Sequence, residues 1–334
     1  MKKRKRKSAS VQWIPSLIIL VAMFALTAYL QGNLLSRRGL TNLINSYFPL
    51  VLMAIGQMAV MVCGCIDLSN GSALSLMSCV LAATMNKDNP ASGWAALGLA
   101  ALVMVITALM NGFIVGYMRV PPVIATFATS YMYMGAALYI MPRPGGACVN
   151  WMQIFYRTSG VEGIPEWINS VTNWVPPIVF LVLLLLLVWR VLRRTSFGRY
   201  LYATGSNESS AYFSGIPTAR VRMGAYLFNA FAILLAALFF VAQNQSADYS
   251  FGDAYTLKSI AAAVIGGVAM SGGRGDAAGA LIGALILSMV SKLIFFSGLP
   301  TAYQTLVNGL IVLLALMASY IYIFVNRKMK EKGE

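Results

Sequence analysis

The sequence predicts an all-α protein that crosses a membrane about ten times, with both chain termini on the cytoplasmic side. Of its 334 residues, 59% are hydrophobic and only 10% are charged, whereas a soluble domain carries about 25% charged residues. The mean hydropathy is +0.72, and apolar runs of about 20 residues, the length of a helix that spans a bilayer, recur along the chain. We therefore expect residues 1–334 to form a single transmembrane domain.

The apolar runs define the candidate spans in order. The first follows a basic N-terminus, as in a secretory signal, but its 17 residues are long for a signal core and further runs follow it. We expect it to be retained as a span. The runs flanking Asp67 and those flanking residues 272–275 form hairpins that could be partly re-entrant, so the count is eight to ten. The spans are 14–30, 44–66, 68–85, 94–118, 123–141, 176–191, 223–242, 256–270, 277–296 and 303–325.

The basic residues predict the orientation of these spans. The formal charge is +15, and with ten spans 18 of the 25 basic residues fall in segments on one side. By the positive-inside rule that side is cytoplasmic. It holds the basic N-terminus 1–13, the long loop 192–222 and the tail 326–334. The charge therefore reports membrane topology and gives no reason to expect a nucleic-acid partner, which needs a basic face on a folded domain.

Several kinds of chemistry have no residues to support them. The chain has no His, which removes the commonest general base and the Ser-His-Asp and Cys-His arrangements. The pair Cys63 and Cys65 has no second ligand pair at metal spacing, so we expect no metal site. There is no phosphate-binding G-x-x-x-x-G-K-[ST] loop. These absences disfavour an enzyme, and we expect the chain to bind no cofactor itself.

Asp67 is the clearest ionisable residue at membrane depth, where a charge is costly and commonly functional. It precedes Ser69, Asn70, Gly71 and Ser72 between two apolar runs. The carboxylate could cap the helix that follows, or Asp67, Asn70 and Ser72 could line a translocation pathway. Without a second buried carboxylate beside it, a proton relay is disfavoured.

The cytoplasmic loop 192–222 carries the signals of a short amphipathic helix. Ser206 or Asn207 can cap it, and a Gly-Ile-Pro sequence beginning at Gly215 would end it. Tyr212 and Phe213 form an apolar patch within it. Such a helix either connects two spans or contacts a partner protein. On the other side of the membrane, the aromatic residues of loop 142–175 form either an interfacial belt or a docking surface.

Small residues concentrate in the late hairpin. Gly275, Gly279 and Gly283 are four residues apart, a spacing that lets helix backbones approach closely. We expect these glycines to pack the hairpin, or to shape a pore between two copies or halves. The positions assigned to hairpin packing are Gly266, Gly267, Gly272, Gly273 and Gly275.

Four stretches resemble the permease subunits of bacterial ATP-binding-cassette (ABC) importers for simple sugars, the ribose-type family within the branched-chain amino-acid permease superfamily. The resemblance extends over about residues 14–325. The matching residues are Gly64-Cys65-Ile66-Asp67-Leu68-Ser69-Asn70-Gly71-Ser72, Arg119-Val120 with Ile124-Ala125-Thr126, Phe197-Gly198-Arg199-Tyr200 with the residues that follow it to Ile216, and Ile260 to Gly267 with Ser271-Gly272-Gly273-Arg274-Gly275.

This resemblance implies a multi-pass protein of the bacterial cytoplasmic membrane. Two permease chains, identical or different, would form one pore, and a separate ATPase would bind ATP and Mg²⁺ on the inner face. A soluble binding protein would deliver the solute from outside. The cytoplasmic helix would dock into the ATPase and pass its motion to the spans. The coupling residues would be Gly205, Asn207, Glu208, Tyr212, Phe213 and Gly215.

The chain departs from the family pattern at positions that could face the pathway. Cys65 and Asn70 replace the usual Gly and Val, and Thr256 and Lys258 stand where acidic residues are common. The solute is therefore expected to be a simple sugar, with a branched-chain amino acid or a signalling molecule as the alternative. An ion-coupled carrier acting alone would need a buried acid pair or ion site, and a membrane enzyme is disfavoured by the missing His.

Overall fold

The computed structural model describes residues 14–156 and 165–296, together with six helical positions between 303 and 317. Within these residues the chain forms α-helices and one 3-10 helix, with no β-strand, which confirms the all-α class. The predicted N-terminal segment 1–13 and tail 326–334 lie outside the described residues. The same is true of the tenth predicted span, 303–325, apart from those six positions.

Twelve α-helices are present in the described part of the chain. A 3-10 helix, Asn150–Phe155, lies between α5 and α6. The helices are α1 Ile14–Leu30, α2 Arg37–Val62, α3 Asn70–Thr84, α4 Ser92–Gly116, α5 Pro122–Ile140, α6 Glu166–Trp174, α7 Ile178–Arg194, α8 Ser196–Ser206, α9 Glu208–Phe213, α10 Thr218–Asn244, α11 Asp253–Ile265 and α12 Ala277–Phe296.

Each of the first nine predicted spans coincides with one of these helices. Five helices (α2, α4, α5, α10 and the segment Ala277–Ile294 of α12) are long and apolar enough to cross a membrane, and α1 and α3 are shorter apolar helices. With 13 residues, α11 is about 20 Å long, less than the roughly 30 Å of a bilayer core. The chain is thus a polytopic membrane protein, and the late hairpin begins with a short helix.

The second span begins earlier than its hydropathy predicts. Residues 37–43 include two arginines, a threonine and an asparagine, yet α2 starts at Arg37 because Ser36 caps it, its Oγ accepting from the Gly39 N–H at 3.1 Å. Most of α2 and α10 is buried, so these two helices form the centre of the fold. The large apolar side chains of α4 and α5 are mostly exposed and are available to lipid or to a second chain.

Segments predicted on the same side of the membrane meet in the structure. At one end Arg193 pairs with Asp276 at 2.6 Å, joining loop 192–222 to the late hairpin. At the other end Gly145 and Ala247 exchange backbone hydrogen bonds of 3.1 and 2.8 Å. There Trp151 Nε1 also donates to the Pro90 carbonyl at 2.9 Å. The helix packing therefore agrees with the two-sided arrangement inferred from the charges.

Candidate functional site

A break in the helical chain brings polar groups into the protein interior. After α2 ends at Val62, residues 63–69 run without helix until α3 begins at Asn70. Gly64 turns the chain there with a φ of +82°, a conformation that a residue with a Cβ rarely adopts. Cys63 and Cys65 flank this turn as buried free thiols. The break delivers Asp67 and Ser69 between the central helices.

Asp67 bonds to two separate elements and is only 3% exposed. Its Oδ1 accepts from the backbone N–H of Ser69 at 2.8 Å and from the Ser69 hydroxyl at 2.6 Å. Its Oδ2 accepts from Asn229 Nδ2 of α10 at 2.9 Å. The carboxylate thus bonds to the residue before α3, while the Gly71 N–H in the first turn of α3 donates to Thr256 Oγ1 at 3.0 Å. Asp67 therefore joins the break to α10 and does not cap the first turn of α3 directly.

Asn70 is the centre of the hydrogen bonds that follow. Its Nδ2 donates to Gln57 Oε1 of α2 at 2.7 Å and to Ser259 Oγ of α11 at 3.3 Å. Its Oδ1 accepts from Asn229 Nδ2 at 2.6 Å. Since Gln57, Asn70, Asn229 and Ser259 are all fully buried, one side chain joins four helices inside an apolar core.

A second branch runs from the break to α4 and α5. Asn111 Nδ2 donates to Ser69 Oγ at 2.8 Å, and Asn111 Oδ1 accepts from the Thr129 hydroxyl at 2.7 Å and from Tyr133 Oη at 3.3 Å. Thr126 Oγ1 accepts from a backbone N–H of the break at 3.0 Å. We refer to the connected side chains as the polar network: Gln57, Asp67, Ser69, Asn70, Asn111, Thr129, Asn229 and Ser259.

The polar network is suited to binding hydroxyl groups. Amides and hydroxyls both donate and accept hydrogen bonds, and the single carboxylate adds a strong acceptor. Within the described residues, Gln57 Nε2 and Asn229 Oδ1 have no hydrogen-bond partner, which leaves one donor and one acceptor unsatisfied. Buried polar groups are rarely left without a hydrogen-bond partner. In the same described part of the chain, no three Cys, Asp or Glu side chains are grouped as metal ligands.

The sequence identified only part of this network. Asp67 and Asn70 are brought together in it, whereas Ser72 lies buried in the first turn of α3. The amides Gln57, Asn111 and Asn229 were missed. The only signal for them was that each is an amide with apolar neighbours inside a predicted span, a position at which polar side chains commonly bond between helices.

The break also meets the cytoplasmic loop and the late hairpin through glycines. Gly273 N donates to the Val62 carbonyl at 2.9 Å, and Gly205, at the end of α8, packs directly against the same carbonyl. A Cβ on Gly272 would lie 2.5 Å from Gly205 O and 2.8 Å from Gly64 Cα. We call Gly64, Gly205, Gly272 and Gly273 the glycine junction. It joins three segments at the Val62 carbonyl, and Val62 precedes Asp67 by five residues.

The other glycines of the hairpin hold α11 against α12. A Cβ on Gly266 would lie 2.8 Å from Ala280 N, and one on Gly283 would lie 2.6 Å from Gly266 N. Gly267 and Gly275 lie in the turn between the helices with φ of +86° and +148°. The predicted packing positions thus occupy the close helix contact and its turn.

The predicted cytoplasmic helix is α9. Asn207 caps it, its Oδ1 accepting from the Ser210 N–H at 2.9 Å. The helix ends at Phe213, and Gly215 follows in the left-handed region with a φ of +81°. Tyr212 and Phe213 are 57% and 86% exposed, so the described residues leave the apolar patch uncovered.

An ion pair that the sequence did not predict anchors α9. Arg222 in α10 bonds Glu208 at 2.5 Å and reaches the Val115 carbonyl at the end of α4 at 3.5 Å. The guanidinium of Arg119 lies 5.9 Å from the centre of the Tyr212 ring, within cation–π range. Two basic side chains therefore hold α9 against the cytoplasmic ends of the spans.

A tyrosine ties α8 to the late hairpin independently of pH. Tyr202 Oη donates to the Gly275 carbonyl at 2.7 Å. Burial raises the pKa of Tyr202 to about 12, with Asp276 adding to the increase and Arg193 opposing it. The hydroxyl therefore keeps its proton, and its role as donor, throughout the physiological range.

The fold and the buried polar centre define a polytopic helical membrane protein, and the class of that protein is established by comparison with known families. The family model described as "Branched-chain amino acid transport system / permease component" matches residues 39–316, which is most of the chain. The chain belongs to this family of ABC-importer permeases.

The curated relatives carry a more specific name. The chain is 31% identical to the "Autoinducer 2 import system permease protein LsrC" of Yersinia pseudotuberculosis serotype O:1b (strain IP 31758) over 310 residues, covering 89% of this chain and 82% of the relative. It has the same identity and coverage with the protein of that name from Yersinia pestis (strain Pestoides F). No solved structure gives a significant match.

These matches confirm the resemblance to ribose-type permeases. The chain is a multi-pass protein of the bacterial cytoplasmic membrane and a transport subunit, consistent with the absence of a nucleotide-binding loop from its sequence. Membership of this family implies an ATPase and a binding protein as partners.

Proposed function

We propose that the chain forms half of the pore of an ATP-driven importer for a small sugar-like solute. A second permease chain completes the pore, and ATP and Mg²⁺ bind to ATPase subunits on the cytoplasmic side. An external binding protein delivers the solute. The observation that carries the proposal is α9: within the part of the chain that the structure describes, its aromatic pair Tyr212 and Phe213 is exposed, while its Glu208 is paired with Arg222 of α10.

The contacts of α9 suit a docking element. Exposed Tyr212 and Phe213 are adjacent on a helix of six residues, and large aromatic side chains commonly anchor protein interfaces. The Glu208–Arg222 pair and the Asn207 cap limit the motion of the helix relative to α10. A partner that binds the aromatic pair can therefore move the cytoplasmic ends of the spans as a body.

The glycine junction supplies a route from this surface to the polar network. Gly205 is the penultimate residue of α8, the helix next to α9, and packs against the last carbonyl of α2. Asp67 follows that carbonyl by five residues, in the non-helical break between α2 and α3. Backbones that pack directly against each other transmit a displacement efficiently, because no flexible side chain lies between them. Movement of α8 is thus expected to shift Asp67 and Ser69.

The polar network favours a hydroxylated solute. Asp67, Asn70 and their amide partners would exchange their mutual hydrogen bonds for bonds to sugar hydroxyls as the pathway opens. A branched-chain amino acid would call for an apolar pocket for its side chain and a cation for its carboxylate, and the network contains no cation. The relatives' name, which specifies import of autoinducer 2, points to the same polar class.

The docking proposal is tested by co-purification of the full-length chain with its cognate ATPase. Phe213→Asp is expected to abolish co-purification, because a charge would enter an apolar interface. The matched control is Trp167→Asp, which alters a similarly exposed aromatic residue in α6, in the loop predicted on the external side. Retention of the ATPase by the Phe213→Asp chain, at the level of the control, would refute the docking role of α9.

The solute class is tested by competition. Uptake of labelled autoinducer 2, labelled ribose and labelled leucine is measured separately in cells that express the complete system, and unlabelled leucine is added as the amino-acid competitor. We expect uptake of at least one of the two hydroxylated solutes and no inhibition by leucine. Uptake of leucine alone would refute the sugar-like assignment while leaving the permease assignment intact.

A further inference from the structure

A non-helical segment joins α10 to α11 and enters the helix bundle from the side predicted to face outward. We call residues 245–252 the α10–α11 segment. Near its start Ala247 exchanges backbone hydrogen bonds with Gly145, in a loop predicted on the outer side. At its end the Gly252 N–H donates to Ser75 Oγ of α3 at 2.9 Å. The segment therefore runs inward from the outer loops to a point well inside the bundle.

The length of α3 measures the depth that the segment reaches. Ser75, which bonds to Gly252, lies nine residues before Thr84 at the outer end of this helix. At about 1.5 Å per residue, Gly252 is therefore roughly 13 Å below that end. Since a bilayer core is about 30 Å thick, the segment descends to near the midplane of the membrane.

The polar network gives the same depth by a second route. Asn70 bonds to Ser259 of α11 and to Asn229 of α10, which places these two residues at one level. Asn229 lies 15 residues, roughly 22 Å, before the outer end of α10, and Ser259 lies six residues, roughly 9 Å, after Asp253 at the start of α11. The start of α11 is thus again roughly 13 Å below the outer end of a neighbouring helix. The short α11 begins inside the membrane.

Polar side chains are exposed at that depth. Ser250 and Asp253 are both exposed, and neither ion pair in the described part of the chain includes Asp253. Ser250 bonds through its N–H and its hydroxyl to the Asp248 carboxylate, at 2.7 and 2.9 Å. A carboxylate that faces lipid is costly, and non-helical backbone at membrane depth is found only inside protein or beside water. The exposed side of the segment therefore faces a water-filled space.

The segment is held at this depth by packing. The centre of the Phe251 ring lies 4.6 Å from that of Phe240 in α10 and 5.7 Å from that of Tyr255 in α11. Gly252 packs directly against the Gly71 carbonyl, where a Cβ would not fit. Gly71 follows Asn70 in the chain, so the segment ends beside the polar network.

We propose that the α10–α11 segment and Asp253 line the outer half of the solute passage, a water-filled space that leads to the polar network. The passage is part of the proposed import function, on which this assignment rests, and a second permease chain closes its other side. Ser250 and Asp253 mark the face of this chain that is turned toward the pore. Their hydroxyl and carboxylate suit a hydroxylated solute, because such groups exchange hydrogen bonds with it as water does.

The proposal is tested by cysteine accessibility in intact cells that express the complete importer. The variants Ser250→Cys and Asp253→Cys are treated with a membrane-impermeant, positively charged methanethiosulfonate. Uptake of labelled autoinducer 2 and of labelled ribose is measured before and after treatment. The control at matched depth is Leu102→Cys, ten residues after the start of α4, whose native side chain is 55% exposed. The four native cysteines are buried and should contribute little labelling.

We expect both segment variants to be labelled at least tenfold faster than Leu102→Cys, and labelling to reduce their uptake at least fivefold. Labelling no faster than that of the control would place the segment away from water and overturn the proposal. Rapid labelling that leaves uptake unchanged would also overturn it, because the water-filled space would then lie off the passage. Ser250→Cys exchanges one small side chain for another, so the test stands even if Asp253→Cys does not assemble. Uptake by the unaltered importer tests the proposed function separately.

Discussion

Gly205→Ala is the change that most directly perturbs the glycine junction. The added Cβ would overlap the Val62 carbonyl oxygen and lie 2.8 Å from Gly273 N. These are the two atoms of a 2.9 Å hydrogen bond between the end of α2 and the late hairpin. The neighbouring groups are backbone, so they cannot rotate away as a flexible side chain would. Either α8 moves from the break or the hydrogen bond opens.

The size of the effect follows from these contacts. Overpacking of a close contact costs about 1–3 kcal/mol, and loss of a buried hydrogen bond adds about 0.5–1.5 kcal/mol. We expect destabilisation of about 2–4 kcal/mol if the contact is kept under strain, and less if α8 separates. The matched control is Gly135→Ala in α5, where nothing lies within 4 Å of the new Cβ. That control gains up to about 1 kcal/mol of helix propensity.

The assay is ATP-driven uptake in proteoliposomes that contain the complete importer, with thermal unfolding measured in parallel. Gly205→Ala is expected to reduce uptake per ATP hydrolysed by at least tenfold, since displaced backbones no longer pass motion to the break. Gly135→Ala should match the unaltered protein in uptake per ATP hydrolysed and should unfold at the same or a slightly higher temperature. Normal coupling and an unchanged unfolding midpoint for Gly205→Ala would refute the role of the glycine junction.

Three further predictions concern the polar network, α9 and the orientation. Asn229→Leu leaves Asp67 Oδ2 without its donor, so we expect the free energy of unfolding to fall by about 3 kcal/mol, measured as a lower unfolding midpoint. An unchanged midpoint would contradict the stabilising role of the polar network. Glu208→Gln breaks an ion pair whose carboxylate side chain is 45% exposed, so the free energy of unfolding should change by less than about 1 kcal/mol. Co-purification of the ATPase is nevertheless expected to fall. Normal co-purification would argue against the role of the Glu208–Arg222 pair in anchoring α9. In intact cells a membrane-impermeant maleimide should label Lys87→Cys but not Ser214→Cys. Background labelling should be low because the four native cysteines are buried. The reverse labelling pattern would show that the predicted orientation in the membrane is wrong.

The helices were predictable because the bilayer imposes one length on apolar segments. The errors came where polar residues form helix without lipid contact. Arg37 and Arg38 read as loop, yet Ser36 starts α2 before them. The cytoplasmic helix was predicted from its cap and its glycine, and of the two candidates Asn207 provides the cap. The helix Glu166–Trp174 was not predicted at all, because its loop offered aromatic residues but no clear cap.

The candidate site was predictable only where the chain itself signals it. Asp67 and Asn70 stand out because a polar sequence interrupts two apolar runs. Gln57, Asn111 and Asn229 lie on three different helices and meet around these residues only after packing. The spacing of these amides along the chain follows no regular period, so a single sequence does not indicate that they meet. The same holds for Arg222, whose partner Glu208 belongs to a separate helix.

The central claim is that this chain moves a sugar-like solute only as part of an ATP-driven complex. The most direct measurement compares uptake of labelled autoinducer 2 and ribose by proteoliposomes that contain this chain alone with uptake by those that contain the complete importer. We predict that uptake requires the complete complex and ATP, and that proton or sodium gradients neither replace ATP nor change the rate. Uptake by the chain alone, driven by an ion gradient, would contradict the account and identify a secondary carrier.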